Sequence, residues 1–264
     1  MLTHVIASSW SQLTDLLFEG AWDESLRRFR SPFAFRGLSD ANYSLETSLT
    51  RLGGAYGKVE GHLIRNFIKY ARRNVESADS IWHWLAIAQH HGLPTRLLDW
   101  TFSPYVALHF ATANVARFGA DGVVWCVNYV MTNRLIPDVL RELLAEEAGF
   151  LVFTAEMLAQ ASPSLRHFDG LSPDPFVIFM EPPSLDDRIA NQAALFSLMS
   201  SPSARLDVWL SEHPEAFRRI IIPAELKWEI RDKLDQINIT ERVLFPGLDG
   251  LSLTLKRYYG PRTK

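Results

Sequence analysis

The chain has 264 residues, of which 47% are apolar, 22% charged and 12% aromatic, and it carries a formal net charge of −3. A chain of this length buries roughly 70–75% of its unfolded surface, so its core needs neither disulfide nor metal, and this composition excludes a disordered or low-complexity protein. The near-neutral balance does not of itself announce a nucleic-acid or membrane binder. Cys126 is the single cysteine, which excludes an intramolecular disulfide and a cysteine-rich zinc cluster. It stands in the apolar run 123–127 and reads as a buried small hydrophobe. No basic-then-apolar leader opens the chain, and the longest uncharged run, Trp100–Ala116, is interrupted by Pro104, His109 and Asn114. A soluble cytoplasmic protein with no membrane partner is the expectation.

In chain order, Ser9–Phe18 reads as a first helix, with Ser9 or Ser11 as its cap. Phe33–Gly37 alternates as a short strand, its two phenylalanines on one face and Arg36 on the other. Tyr43–Leu49 is a candidate second strand, closed by the Gly53-Gly54 turn. Lys58–Val75 is an amphipathic helix whose solvent stripe carries Arg65, Lys69, Arg72 and Arg73. Ser80–His91 is a tryptophan-rich helix stopped by Gly92 and Pro94. A polar loop then leads into a third helix that opens at Ser103-Pro104 and runs to about Arg117. Gly122–Tyr129 is a buried strand, 133–148 and 154–161 are helical, and Phe176–Glu181 is another strand. The loop Pro182–Asp187 precedes Arg188, and Ala193–Leu198 is a further strand. A helix near Glu212–Phe217, a strand at Arg219–Ile222, a helix from Pro223 to about Gln236 and a terminal helix near Thr240 complete the chain. With no internal repeat and no Pro/Gly/Ser linker, the whole of 1–264 reads as one α+β domain, a mostly antiparallel sheet with inserted helices.

The motifs of P-loop NTPases, dinucleotide oxidoreductases, zinc proteases and α/β-hydrolases are absent. His90 and His91 are adjacent on a helix and point about 100° apart, so they do not chelate one metal, and no metal is expected. Charge is uneven along the chain: the middle is acidic and both flanks are mildly basic, so Arg96 and Arg188 stand out. Three segments differ from ordinary core or surface. Phe35-Arg36-Gly37 places a guanidinium fork on a strand, suited to a pyrophosphate or carboxylate, or to an edge-strand salt bridge. The block from Gln89 to Thr101 packs Gln, His, Thr, Arg and Asp between apolar helices. It reads either as a ligand-lined cleft or as a structural network in which Arg96 pairs with Asp99. The stretch 186–196 turns a polar loop into an apolar strand and sets Gln192 at the strand's mouth.

Together these segments resemble the FRG-domain family, named for the F/Y-R-G tripeptide that here is Phe35-Arg36-Gly37. The tract Ser48-Leu49-Thr50-Arg51, the block 85–101, the run Ser103–Leu108 and the element Arg188-Ile189…Gln192…Phe196 carry the same likeness, over about residues 30–200. Residues 205–264 are expected as an extension packed on that unit. The layout is similar to ADP-ribosyltransferases, with their split sheet, and the resemblance implies an NAD-dependent transfer of ADP-ribose to a macromolecule. In that reading NAD is the co-substrate. Arg36, with Gly37 beside it, grips the pyrophosphate or the nicotinamide ribose. Gln89, His90, Thr95, Arg96, Thr101, Tyr105 and Arg188 line the cofactor site, and Gln192 holds the ribose hydroxyls. Arg36, Asp99 and Gln192 are the catalytic candidates.

One departure stands out: such transferases mostly place a Glu where this chain has Gln192, so Asp99, Asp187 or Glu181 must supply the anion, or the cleft belongs to a non-catalytic module that binds a nucleotide or a nucleic acid. The stripe Arg65/Lys69/Arg72/Arg73 is sized to follow a few phosphates, and Trp82, Trp84, Tyr43 and Tyr105 are aromatic candidates for base stacking. RNA or DNA is preferred over protein as acceptor. The resemblance further suggests a bacterial toxin or antiphage effector with a neutralising antitoxin or regulatory partner.

Overall fold

The computed structural model describes residues 3–73, 75, 79–146 and 151–261. β1 (His4–Ile6) leads into α1 (Trp10–Phe18), a small antiparallel hairpin of β2 (Trp22–Asp23) and β3 (Arg28–Phe29), and then β4 (Phe33–Leu38). α2 (Ser48–Arg51), α3 (Tyr56–Ala71) and α4 (Ile81–His90) precede β5 (Leu97–Thr101) and α5 (Pro104–Ala111). β6 (Gly122–Asn128), α6 (Tyr129–Thr132), α7 (Asp138–Glu146), α8 (Ala155–Ala161) and α9 (Leu165–Asp169) lead to β7 (Val177–Met180), α10 (Asp187–Asn191) and β8 (Ala194–Met199). The chain continues with α11 (Leu206–Ser211), β9 (Phe217–Ile222), α12 (Lys227–Gln236), α13 (Glu241–Leu244) and α14 (Leu248–Tyr258).

Seven strands form one mixed sheet in the order β1-β9-β6-β4-β5-β8-β7. Among the described strands β1 and β9 pair parallel and the other pairs are antiparallel. The α+β reading is therefore correct, and the C-terminal segment is more than an extension, because β9 is an interior strand between β1 and β6. Phe33 and Phe35 enter the core made by α1, α5 and α12. Ala34, Leu98, Trp100 and Trp125 enter a second core on the opposite face. A third core gathers α3, α4, α7, α8 and α9 over β5, β7 and β8.

Helix starts follow local capping chemistry. Ser9, Ser80 and Ser103 each accept a backbone N–H in the first turn of α1, α4 and α5, and Pro104 opens α5 where its missing N–H costs nothing. Several expectations are corrected. Tyr43–Leu49 is not a strand: Thr47 caps the short α2 instead. The loop before α5 contains β5, which pairs with β8 along its whole length and whose residues Leu97, Leu98, Trp100 and Thr101 are buried. The predicted third helix stops at Ala111, followed by a separate 3₁₀ turn at Val115–Arg117. The helix predicted near Glu212–Phe217 is reduced to a 3₁₀ turn at Pro214–Ala216; α11 precedes it, and Phe217 already belongs to β9. The end of the helix predicted over 133–148 lies outside the described residues. Cys126 is fully buried and burial pushes its thiol up to about 12, so it is inert. Among the described residues no helix is long and apolar enough to cross a membrane.

Candidate functional site

The sheet has one weak seam. β4 pairs with β6 along its whole length, from Phe33 opposite Asn128 to Leu38 opposite Val123, yet it meets β5 at a single pair, Phe35 opposite Thr101. Beyond that pair the backbone ladder is not continued, and the Arg36 guanidinium bridges the gap by donating from Nη1 to the Asp99 carbonyl. The seam divides four strands (β1, β9, β6, β4) from three (β5, β8, β7). A cleft of about 260 Å³ opens there, walled by β4 at Phe35–Gly37, by Asp99 and Thr101 of β5, by Gln89 and His90 of α4, and by Arg188 and Gln192 at α10.

A chain of hydrogen bonds fixes Asp99. The Leu49 N–H donates to the Thr95 carbonyl at 3.0 Å, and the Thr95 N–H donates to Ser48 Oγ at 3.0 Å. Thr95 Oγ1 then donates to Gln89 Oε1 at 2.6 Å. This turns the Gln89 amide so that Nε2 donates to both Asp99 oxygens, at 3.0 and 3.1 Å. The Asp99 residue remains exposed to the cleft while its orientation is held from behind. The tract 48–51 therefore docks the turn that begins this chain of bonds.

The opposite wall is the α10–β8 junction. Asp186 caps α10, Oδ1 accepting the Ile189 N–H at 3.2 Å, while Oδ2 lies 3.0 Å from His90 Nε2. The Arg188 guanidinium lies over the Phe245 ring at 5.1 Å. Gln192 Nε2 donates to the Leu244 carbonyl at 2.8 Å, and the Gln192 carbonyl accepts the Thr101 hydroxyl at 2.6 Å. Ala193, which follows, has φ 44°, a left-handed conformation that a residue with a Cβ holds at a cost of about 1–2 kcal/mol.

Electrostatically the cleft is a place for anions on one side and a fixed carboxylate on the other. Burial lowers the Arg36 pKa, Asp99 pulls it back up, and Arg51 adds to the lowering. Arg36 Nε is buried without a hydrogen-bond partner, a donor whose desolvation an acceptor in the cleft would relieve. Gly37 serves packing: a Cβ there would lie 1.8 Å from the Ala107 carbonyl oxygen, so the glycine lets α5 rest directly on β4.

The structure thus brings Arg36, Gly37, Gln89, His90, Asp99, Thr101, Arg188 and Gln192 to one cleft. Three expected members lie elsewhere. Thr95 is fully buried behind Gln89. Arg96 does not pair with Asp99: it points into the protein, where Glu60 takes it bidentately, with Nε–Oε1 2.7 Å, and Asp169 binds its other edge. Burial works against that charge, but the bonds to Glu60 and Asp169 outweigh it and its pKa is raised. Tyr105 stacks on Trp10 with ring centroids 6.1 Å apart and meets Phe18 edge-on. Of the three carboxylates considered as the anion, Asp99 lines the cleft, while Asp187 and Glu181 do not. Trp82 and Trp84 are core residues, whereas Tyr43 is exposed beneath the Arg117 guanidinium. Arg65, Lys69, Arg72 and Arg73 are all exposed, and none of them lines the cleft. Sequence reasoning missed Asp186 as the partner of His90, although an Asp-Asp pair just before a short apolar-periodic stretch is a capping signal. It also missed Phe110 and Phe196, whose neighbours are distant in sequence.

The fold and the cleft define an α+β protein that presents a pocket of arginine, carboxylate and amide groups at a seam in its sheet. Residues 31–119 match the family model of the FRG domain, and the chain carries an FRG domain over that third of its length. The match contains Arg36, Gln89, Asp99 and Thr101 and ends before Arg188 and Gln192, short of the span 30–200 expected from the motifs. No curated protein and no solved structure matches the chain.

Proposed function

We propose that the seam cleft binds NAD and that the protein transfers its ADP-ribosyl group to a macromolecule, with RNA or DNA the favoured acceptor. The observation that carries this reading is the parting of the sheet at Phe35–Thr101, with an under-partnered guanidinium on one lip and a fixed carboxylate on the other. The residues suit such a ligand. Arg36 and Arg188 offer guanidinium forks for a pyrophosphate, and the carbonyl oxygen of the Gln192 side chain is an acceptor for a sugar hydroxyl. At about 260 Å³ the cleft is smaller than the roughly 300–1,000 Å³ of drug-sized sites, so it takes one end of a dinucleotide rather than the whole.

The chemistry asks for charge stabilisation more than for covalent help. As the N-glycosidic bond breaks, its electron pair leaves with the nicotinamide nitrogen, and the anomeric carbon becomes positive. Asp99, held by Gln89, supplies the negative field there, in the role that a late-strand Glu takes in the enzymes with this layout. The acceptor oxygen or nitrogen then bonds to that carbon and gives up its proton, for which the His90 imidazole, paired with Asp186, is the acceptor at the cleft wall.

A second reading, nucleotide binding without transfer, is favoured by one feature: the Gln192 amide nitrogen is already committed to Leu244. The two separate when pure protein is incubated with NAD labelled in the adenylate and in the nicotinamide portion, with cell lysate added. Transfer predicts free nicotinamide and adenylate label in the RNA, DNA or protein fraction. Saturable NAD binding with neither release nor transfer supports the second reading, and no NAD binding overturns both.

A further inference from the structure

A second cavity lies behind the seam, with about 580 Å³ against the 260 Å³ of the cleft, and it falls within the size range of small-molecule sites. Its lining is largely apolar, with Phe110, Ala113, Trp228, Phe245 and Leu253. Its floor is a buried charged network. Arg257 donates to both oxygens of Asp235, each at 2.7 Å, and to both oxygens of Glu241, at 2.7 and 2.8 Å. Arg231 reaches Asp235 at 3.3 Å and donates from Nη1 to His109 Nδ1 at 2.9 Å, which keeps that imidazole neutral. Two guanidiniums thus face two carboxylates, and the floor is balanced. Lys256 stands at the rim, and among the described residues it has no carboxylate partner. Among the described residues the lining is largely apolar, and Lys256 is its one positive charge without a carboxylate partner.

We propose that this cavity is a ligand site for an amphiphilic monoanion, an aryl or alkyl carboxylate or sulfonate. Its apolar body packs on Phe110, Trp228 and Phe245, and its acid group meets Lys256. An apolar hollow with few, convergent polar groups is the usual form of such a site, and the single charge sets the sign of the ligand. The site shares a wall with the seam cleft. Phe110 lines both, Phe245 meets it edge-on with centroids 6.2 Å apart, and the Arg188 guanidinium lies over the Phe245 ring. Asn191 and Gln192 hold the adjoining carbonyls of Val243 and Leu244 at 2.8 Å. Occupancy therefore bears on two residues of the cleft, whatever the cleft itself binds.

The test titrates the full chain with anilinonaphthalene sulfonate, which fluoresces in apolar sites, and with its neutral counterpart phenylnaphthylamine. One saturable site per chain is expected, with tryptophan emission falling as Trp228 transfers energy to the dye. Ala116→Trp and Leu253→Trp each put an indole on the cavity lining, and each lowers the affinity for both dyes at least about tenfold with thermal melts unchanged. Lys256→Glu, a surface change, lowers affinity for the sulfonate roughly three- to tenfold and leaves the neutral dye unaffected. Non-saturating binding, or saturable binding that both tryptophan variants leave unchanged, overturns the site. An unchanged sulfonate affinity in Lys256→Glu overturns the anion assignment.

Discussion

Arg36 and Arg96 sit in the same FRG segment, yet the structure treats them in opposite ways. Arg96 is 3% exposed, with two carboxylates closing around its guanidinium. Arg36 stands in the seam with one bond, to a backbone carbonyl, and one buried nitrogen without a partner. The buried pair is finished chemistry: its donors are matched, and it ties α3 and α9 to the start of β5. The seam arginine is unfinished, and a donor left unmatched beside a cleft is what a ligand completes. An arginine's surroundings, more than its place in a motif, separate a structural role from a binding one.

The sharpest way to break this contrast is to remove each guanidinium in turn. Arg96→Met leaves Glu60 and Asp169 facing each other without a counter-charge and is expected to lower unfolding free energy by about 3–5 kcal/mol in urea titrations. Arg36→Ala loses one hydrogen bond and is expected to cost no more than about 1.5 kcal/mol while abolishing NAD binding in calorimetry. Equal destabilisation by the two would erase the distinction.

Asp99→Asn keeps the shape of the carboxylate and removes its charge. Transfer is expected to fall about 100- to 1,000-fold with NAD affinity little changed; an undiminished rate in a single-turnover assay would move the anion elsewhere.

A third buried guanidinium, Arg231, extends the comparison because it faces an imidazole as well as carboxylates. Burial, and then the Arg231 charge, lower His109 from 6.5 to about 4. The folded state thus keeps His109 neutral while the unfolded chain protonates it near 6.5. Stability present above pH 6.5 is lost as pH falls toward 4, by on the order of 3 kcal/mol. Glu241, whose burial is outweighed by its bonds to Arg257 so that it is lowered to about 2, adds to the loss below pH 4.5. Denaturant midpoints across pH 4–7 should show the slope, and His109→Gln should flatten its upper part.

The smallest expected effects lie on the far wall. Gln192→Ala removes the bond to Leu244 and is expected to cost about 1 kcal/mol, seen in native-state hydrogen exchange of α13. Ala193→Gly relieves the positive φ and is expected to raise stability by about 1 kcal/mol. A loss instead would mean that Ala193 is not held in strain.

The strand carrying Arg36 was legible because Phe33 and Phe35 alternate with Ala34 and Arg36, and the helices were legible from their caps and stripes. β5 was not. Leu97 enters one core while Leu98 and Trp100 enter the other, and Asp99 shares the face of Leu97, so Leu-Leu-Asp-Trp-Thr shows no clean alternation. The short β1 and α10 fall below the length at which a period shows. The gathering of Arg36, Gln89, Asp99 and Gln192 was foreseen from the three unusual segments. The partners of Arg96 were not, because Asp99 stands three residues away in sequence, whereas Glu60 and Asp169 are separated from it by 36 and 73 residues. Charge partners at that range follow from packing that only the folded sheet supplies.

The central claim is that the opening between β4 and β5 is a nucleotide site governed by Arg36. Calorimetric titration of NAD into wild type and Arg36→Ala, both shown folded by circular dichroism, tests it most directly. Saturable binding to wild type that disappears in the variant is the predicted result; equal binding to both, or none to wild type, contradicts it.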